Sequence, residues 1–288
     1  FYSMFGLQRT ADLAWAAGDI QARGFLMGAT AGRTTLAGEG LQHQDGHGLV
    51  FASVIPNCVA YDPTYAYELV VIMQHGLYRM FEKQENIFFY VTVMNENYPH
   101  PEMPTGVEEG ILKGLYLFKQ ARTKATVQLM GSGAILREVE AAALLLEKDF
   151  NIPANVWSAT SFNELQRDGV AVERWNLLHP NQPQKKSYVE TCLASQAGPV
   201  IATTDYIRTY PEQIRPFVSN RFVTLGTEGY GRSDTREKLR EFFEVNRYYI
   251  IIAALKALAD DGKIDAVDVA KAIKKYNIDP EKPNPVTV

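Results

Sequence analysis

Helix-spaced and strand-like segments take turns along this chain, and that alternation limits the folds open to it more than any other feature. FGLQRTADLAWAAGDIQA carries apolar residues at helical spacing, GFLMGAT reads as a strand, and PTYAYELVVIMQHGLYRMFE reads as a helix with Asp62 at its N-cap and Pro63 in its first turn. NIFFYVTVM, residues 86–94, follows as a buried strand rich in aromatic and β-branched side chains. Such alternation predicts an α/β protein with a parallel-rich sheet. NENYPHPEMPTG at 95–106 has three prolines and no hydrophobic period, and is the candidate linker.

Beyond it the pattern restarts: a helix over 107–121, a strand over 125–131, a helix over 134–149, a strand over 155–161 and a helix from Phe162. Ser161 and Glu164 there form a capping box. Strands at 199–205 and 221–226 precede closing helices over 234–262 and 265–277, with Gly262 the stop between them. Each strand-and-helix set is expected to close a core, so residues from about 107 onward should be stable apart from residues 1–95.

With 288 residues, 46% of them hydrophobic, the chain can bury the cores of two modest domains. A formal charge of -4 supplies no basic field, which argues against nucleic acid as a partner. The longest apolar run, YYIIIAAL at 248–255, ends at Lys256, short of the roughly 20 residues a membrane span needs. A soluble protein with no membrane partner is the expectation. Cys58 and Cys192 lie far apart without metal-ligand spacing, as suits reduced thiols filling a core in a cytoplasmic protein. The opening FYSMFG has neither an initiator methionine nor a polar leader, and predicts a piece of something longer.

TTLAGEGLQHQDGHG, residues 34–48, holds four glycines, two histidines, a glutamate and an aspartate. Clustered glycines defeat a stable helix, and so polar a stretch is not expected in a core; a loop whose backbone approaches something closely is predicted. His43 with Glu39 four residues before it is a candidate acid/base pair, against an equal alternative in which the loop is an idle surface segment. His43 and His47 are four apart, but the adjacent glycines make a zinc-binding helix improbable. GSG at 131–133 sits between strand and helix; Leu136 stands where a dinucleotide fingerprint wants a small residue, so a plain tight turn is favoured. His75, His100 and His179 read as structural or solvated.

YSMFGLQR, ARGFLMGATAGRTTLAGEGLQHQDGHG, IPNCVAYDPTYAYELVVIM, VTVMNENYPHPEMPTG, TSFNELQRDGVAVERWN and LGTEGYGRSDTRE together resemble successive segments of the homodimeric bacterial pyruvate dehydrogenase (acetyl-transferring) family, the first component of the pyruvate dehydrogenase complex. The transketolases share a version of GTEGYGRSD but not the long segment around GLQHQDGH. The resemblance implies a transketolase-like α/β architecture, with residues 1–100 the second half of a thiamine pyrimidine-binding domain and 101–288 a transketolase-like C-terminal domain. It implies thiamine diphosphate and Mg2+ as cofactors of the full-length enzyme, while the metal and diphosphate motif, opening Gly-Asp-Gly, has no counterpart here. It also implies pyruvate as substrate, a homodimer, and the lipoyl domain of a dihydrolipoyl acetyltransferase as acetyl acceptor.

By the same resemblance Tyr2 faces the reacting centre, Phe5 stacks on the aminopyrimidine ring, Arg9 stands nearby, and His43, with Glu39 as loop companion, reaches the substrate-derived part of the cofactor adduct. The glycines would then let backbone approach that adduct. Alone, the piece is expected to be inactive. Two alternatives stay open: another transketolase-like enzyme, and a noncatalytic dimerisation or docking module.

Overall fold

The computed structural model describes residues 7–288 and contains two parallel-rich sheets. In the first, α1 (Arg9–Asp19) leads to β1 (Phe25–Ala29), then α2 (Gly48–Ser53), β2 (Cys58–Tyr61), α3 (Ala66–Leu77) and β3 (Phe88–Val93). The strand order is β1-β3-β2, all parallel, with Phe25 opposite Phe89 and Cys58 opposite Phe88. β3 is unbroken in its apolar and aromatic character because it lies between two strands and nearly all its residues are buried.

The second sheet uses α4 (Glu108–Lys113), β4 (Tyr116–Lys119), β5 (Val127–Gly131), α5 (Leu136–Phe150), β6 (Ala154–Ser158) and α6 (Phe162–Leu178). It continues through α7 (Tyr188–Leu193), β7 (Val200–Thr203), α8 (Thr209–Glu212), β8 (Phe222–Leu225), α9 (Arg236–Phe242), α10 (Arg247–Asp260) and α11 (Ala266–Lys275). Its order is β4-β6-β5-β7-β8, parallel except for the antiparallel edge strand β4. Every residue of β5 is buried, and its one long polar side chain, Gln128, accepts hydrogen bonds from Trp157 Nε1 at 2.9 Å and Asn155 Nδ2 at 3.1 Å.

Several boundaries differ from the sequence expectation for local reasons. The helix expected over 107–121 stops at Lys113, because Gly114 takes a left-handed φ of 100° and the chain returns as β4. The single helix expected over 234–262 is two: Glu244 has φ 62°, and Asn246 restarts the chain by accepting the N–H groups of Tyr248 and Tyr249. α3 begins at Ala66, and Asp62 does not cap it. Ser161 does accept the Glu164 N–H at 3.0 Å, whereas the Glu164 carboxylate pairs with Arg167 at 2.9 Å, leaving half of the expected capping box. β2, α2, α7 and α8 were not foreseen; α7 opens on a full capping box between Ser187 and Glu190.

The second set closes a core around Leu129, Val139 and Leu255, and the two sets also share apolar packing. One apolar cluster joins Leu7, Leu49 and Tyr90 of the first set to Trp157, Phe162 and Tyr206 of the second, and another joins Ile72 to Ile111. Residues 95–106 carry no helix or strand, and a cut there is expected to leave the two pieces associated. Limited proteolysis followed by size exclusion under native conditions checks this; separation without denaturant would contradict it.

Candidate active site between the two sheets

Residues that follow the strands of both sheets meet one another. Asp62, just after β2, is buried and accepts hydrogen bonds from Thr92 Oγ1 in β3 at 2.7 Å and from Ser132 Oγ, after β5, at 2.8 Å. Its backbone N–H bonds Thr160 O, after β6, at 2.8 Å, and Gly133 N–H bonds Asp62 O at 3.1 Å. The GSG turn is thus occupied by this carboxylate, in keeping with the tight-turn reading. Deeper in, Glu68 accepts from Thr64 N at 2.5 Å, Tyr65 N at 3.0 Å, Tyr116 Oη at 2.6 Å and Ser158 Oγ at 2.6 Å. Clefts beyond the C-terminal ends of parallel strands are where α/β proteins bind ligands.

Burial governs the protonation of these acids. It pushes Asp62 up to about 6, against the hydrogen bonds from Thr92 and Ser132. Burial pushes Asp205, just after β7, up to about 7, against the pull of Arg240 and the Thr34 N–H, and its Oδ1 has no hydrogen-bond partner among the described residues. Both lie above the ordinary carboxyl value of 3.8, so the folded form holds protons that the unfolded form releases. Their stabilisation is complete below that ordinary value and is lost as pH rises through about 7. Asp205→Asn removes one of the two titrations, so its melting temperature relative to the parent should climb between about pH 5 and about pH 8. A pH-independent difference would contradict the assignment.

The segment from Thr30 to His47 leaves the C-terminal end of β1 and lies against this region. Contrary to the expectation from its composition, Arg33, Thr34, Thr35, Leu36, Gln44, Asp45, Gly46 and Gly48 are buried. Arg33 donates to Thr227 O, and burial holds its guanidinium below its ordinary value. Thr34 N–H bonds Asp205 Oδ2 at 3.1 Å, and Ile207 N–H bonds Gly46 O at 2.8 Å. Asp45 Oδ1 accepts the N–H groups of His47 at 3.0 Å and Gly48 at 2.7 Å, fixing the entry to α2. Two of the glycines answer to close neighbours inside the chain: a Cβ on Gly40 would come 2.5 Å from Ser233 Oγ, and one on Gly46 would strike the Arg33 guanidinium.

Only the tip faces outward, and it carries the predicted pair. His43 Nδ1 lies 2.8 Å from Glu39 Oε2, with side chains 21% and 45% exposed. An imidazole so placed can give or take a proton while the carboxylate fixes its ring. Arg9 is exposed at the first position of α1, next to Gln8, whose Oε1 is 2.6 Å from His47 Nε2. Tyr2 and Phe5 lie outside the described residues. Arg33, Gln44, Asp45, Asp62 and Asp205 were not foreseen in the site; the DGHG turn before α2 was the one local signal, an aspartate ahead of a helix start.

The remaining candidates are structural. His100 Nδ1 accepts the Ala66 N–H at 3.0 Å and stacks on Tyr98, and His179 stacks on Trp175 with ring centroids 4.4 Å apart. Cys58 and Cys192 are free thiols; Cys58 is buried, which pushes it up to about 12. Among the described residues no group of three or more His, Cys, Asp or Glu side chains is arranged to hold a metal, and no helix is long and apolar enough to cross a membrane.

Comparison with known proteins gives this arrangement its class. Residues 1–101 match the model of the pyruvate dehydrogenase E1 component middle domain, and residues 114–246 match that of the transketolase-like C-terminal domain. The fold agrees: transketolase from Campylobacter jejuni superposes with a TM-score of 0.64 at 20% identity, over 89% of this chain and 35% of that one. This is a transketolase-like α/β protein. The sequence is 60% identical to the pyruvate dehydrogenase E1 component of Cupriavidus necator over 100% of this chain and 32% of that protein. It is 63% identical to the Pseudomonas aeruginosa pyruvate dehydrogenase E1 component over 99% of this chain and 33% of that one. Over its whole length the chain is similar to bacterial pyruvate dehydrogenase E1 components, and it spans about a third of the length of these relatives.

Proposed function

We propose that this chain supplies the substrate-facing loop of a pyruvate dehydrogenase that uses thiamine diphosphate and Mg2+ to decarboxylate pyruvate and acetylate the lipoyl group of a partner dihydrolipoyl acetyltransferase. The observation that carries the reading is the His43–Glu39 pair, 2.8 Å apart beyond the C-terminal end of β1, in a chain alike from end to end to pyruvate dehydrogenase E1 components. On this reading residues 1–100 are the second half of the pyrimidine-binding domain and residues 101–288 the C-terminal domain. The homodimer and a cytoplasmic location belong to the same proposal.

The donor set suits the cofactor's chemistry. Thiamine diphosphate, when bound, supplies the carbon nucleophile for the keto group and the electron sink for loss of carbon dioxide. His43 would hold a proton at the pyruvate keto oxygen as charge develops there, and Glu39 would keep the imidazole aimed. Phe5 would stack on the pyrimidine, Tyr2 would face the reacting centre, and Arg9 would stand beside them. The groups that take magnesium and diphosphate are assigned to the rest of the longer polypeptide. Carbon dioxide release from pyruvate by the full-length protein, compared with cleavage of a ketose phosphate, tests the reading; preference for the sugar would defeat it.

A further inference from the structure

We infer that the C-terminal domain positions the His43 loop, with Gln44 as the positioning residue, clamped by the backbone of Arg232 in the segment that follows β8. The inference rests on the reading of His43 as substrate-facing. Gln44 is buried and makes a two-way amide pair: its Nε2 donates to Arg232 O at 2.6 Å, and Arg232 N–H donates to its Oε1 at 2.7 Å. Such a pair fixes both the distance and the rotation of the side chain, and Gln44 adjoins His43 directly.

The same segment grips the loop on either side of the pair. Gly38 N–H bonds Asp234 O at 2.9 Å, and Ser233 lies against Gly40. Gly231 packs so closely that a Cβ there would lie 2.5 Å from Gln44 Oε1 and 2.8 Å from Leu41 Cα. From α9, Arg236 Nε donates to Thr35 O at 2.6 Å and Arg240 Nε to Thr34 Oγ1 at 3.2 Å. Arg240 is held in turn by Glu96 of the connecting segment, in a pair that also takes Arg137 Nη1 at 2.7 Å. The loop enters and leaves the reacting region under contacts from residues about 190 to 200 positions away in sequence, and at Gly40 that approach leaves no room for a Cβ. A clamp of this kind costs the tip its freedom before substrate arrives, which is what a proton donor at a developing charge requires.

Two substitutions test it in the full-length enzyme with thiamine diphosphate and Mg2+. Gln44→Met removes the amide pair at similar length, and Gly231→Ala pushes the loop from the opposite side without removing a hydrogen-bonding group. Each is expected to lower kcat for pyruvate by about 10-fold or more while leaving the cofactor dissociation constant within about twofold. Because Gln44 acts through His43, neither should lower kcat further when His43 is already alanine. Losses that multiply with His43→Ala, or an unaltered kcat in both variants, overturn the inference. If Gln44→Met fails to fold, Gly231→Ala decides alone. Should His43→Ala by itself leave turnover unchanged, the catalytic reading fails, and amide hydrogen exchange over residues 38–44 judges the clamp: faster exchange in the variants sustains it, and unchanged exchange removes it.

Discussion

Replacing His43 by alanine in the full-length protein should lower pyruvate turnover by at least about 10-fold while leaving thiamine diphosphate affinity nearly unchanged. The asymmetry follows from position. His43 stands at an outward tip, paired with Glu39 at 2.8 Å, whereas cofactor affinity would come from diphosphate, metal and ring contacts elsewhere. An interaction made chiefly with charge that develops during reaction lowers the barrier without tightening the ground state, so its loss appears in kcat. Glu39→Gln keeps the size of the companion and removes its charge, and its effect should be smaller and in the same direction. Steady-state turnover and a cofactor titration on the same preparation check both. An unaltered rate would return His43 to the idle-loop reading.

This chain by itself should bind neither thiamine diphosphate with Mg2+ nor decarboxylate pyruvate. A diphosphate brings several negative charges that must be met by a metal ion and its oxygen ligands. The sequence contains no Gly-Asp-Gly motif of the kind the resemblance implies, and of the carboxylates brought together between the sheets Glu68 is committed to four donors, Asp62 to Thr92 and Ser132 and Asp45 to the start of α2, while burial pushes Asp205 up to about 7. Titration calorimetry on the 32.3 kDa chain should therefore give no cofactor heat at micromolar concentrations. Micromolar binding would show that the chain carries diphosphate ligands of its own.

What could be read from sequence was what local chemistry decides. β3 was legible because FFYVTV can be nothing but a covered strand, and α11 because Asp265 caps it and Gly262 ends its predecessor. β4 was not, since ILKGLYLFK keeps a helical spacing of apolar residues across Gly114, and only the antiparallel pairing of Tyr116 with Ser158 shows it to be an edge strand. Asp62 before Pro63 imitates a helix cap, while its actual partners lie 30 and 70 residues away. The loop at 34–48 misled for the same reason. Its lack of apolar side chains suggests solvent, but Thr34, Thr35 and Gln44 find partners among residues 205–240 and Asp45 finds its own in the turn it begins, so these residues are buried with their hydrogen bonds made.

The candidate pair was legible and its support was not. Glu39 and His43 are four apart, so even a single irregular turn brings them together, whereas Gln44 finds Arg232 across 188 positions. Tertiary contacts at that separation leave no period or motif in the intervening sequence.

Acetyl transfer by the full-length protein is the most direct test of the proposed activity. With thiamine diphosphate, Mg2+ and an oxidised lipoyl domain, mass spectrometry should find one acetyl group added to the lipoyl domain when pyruvate is supplied, and none when a ketose phosphate takes its place. Acetylation that is absent with pyruvate, together with cleavage of the sugar phosphate, would contradict it.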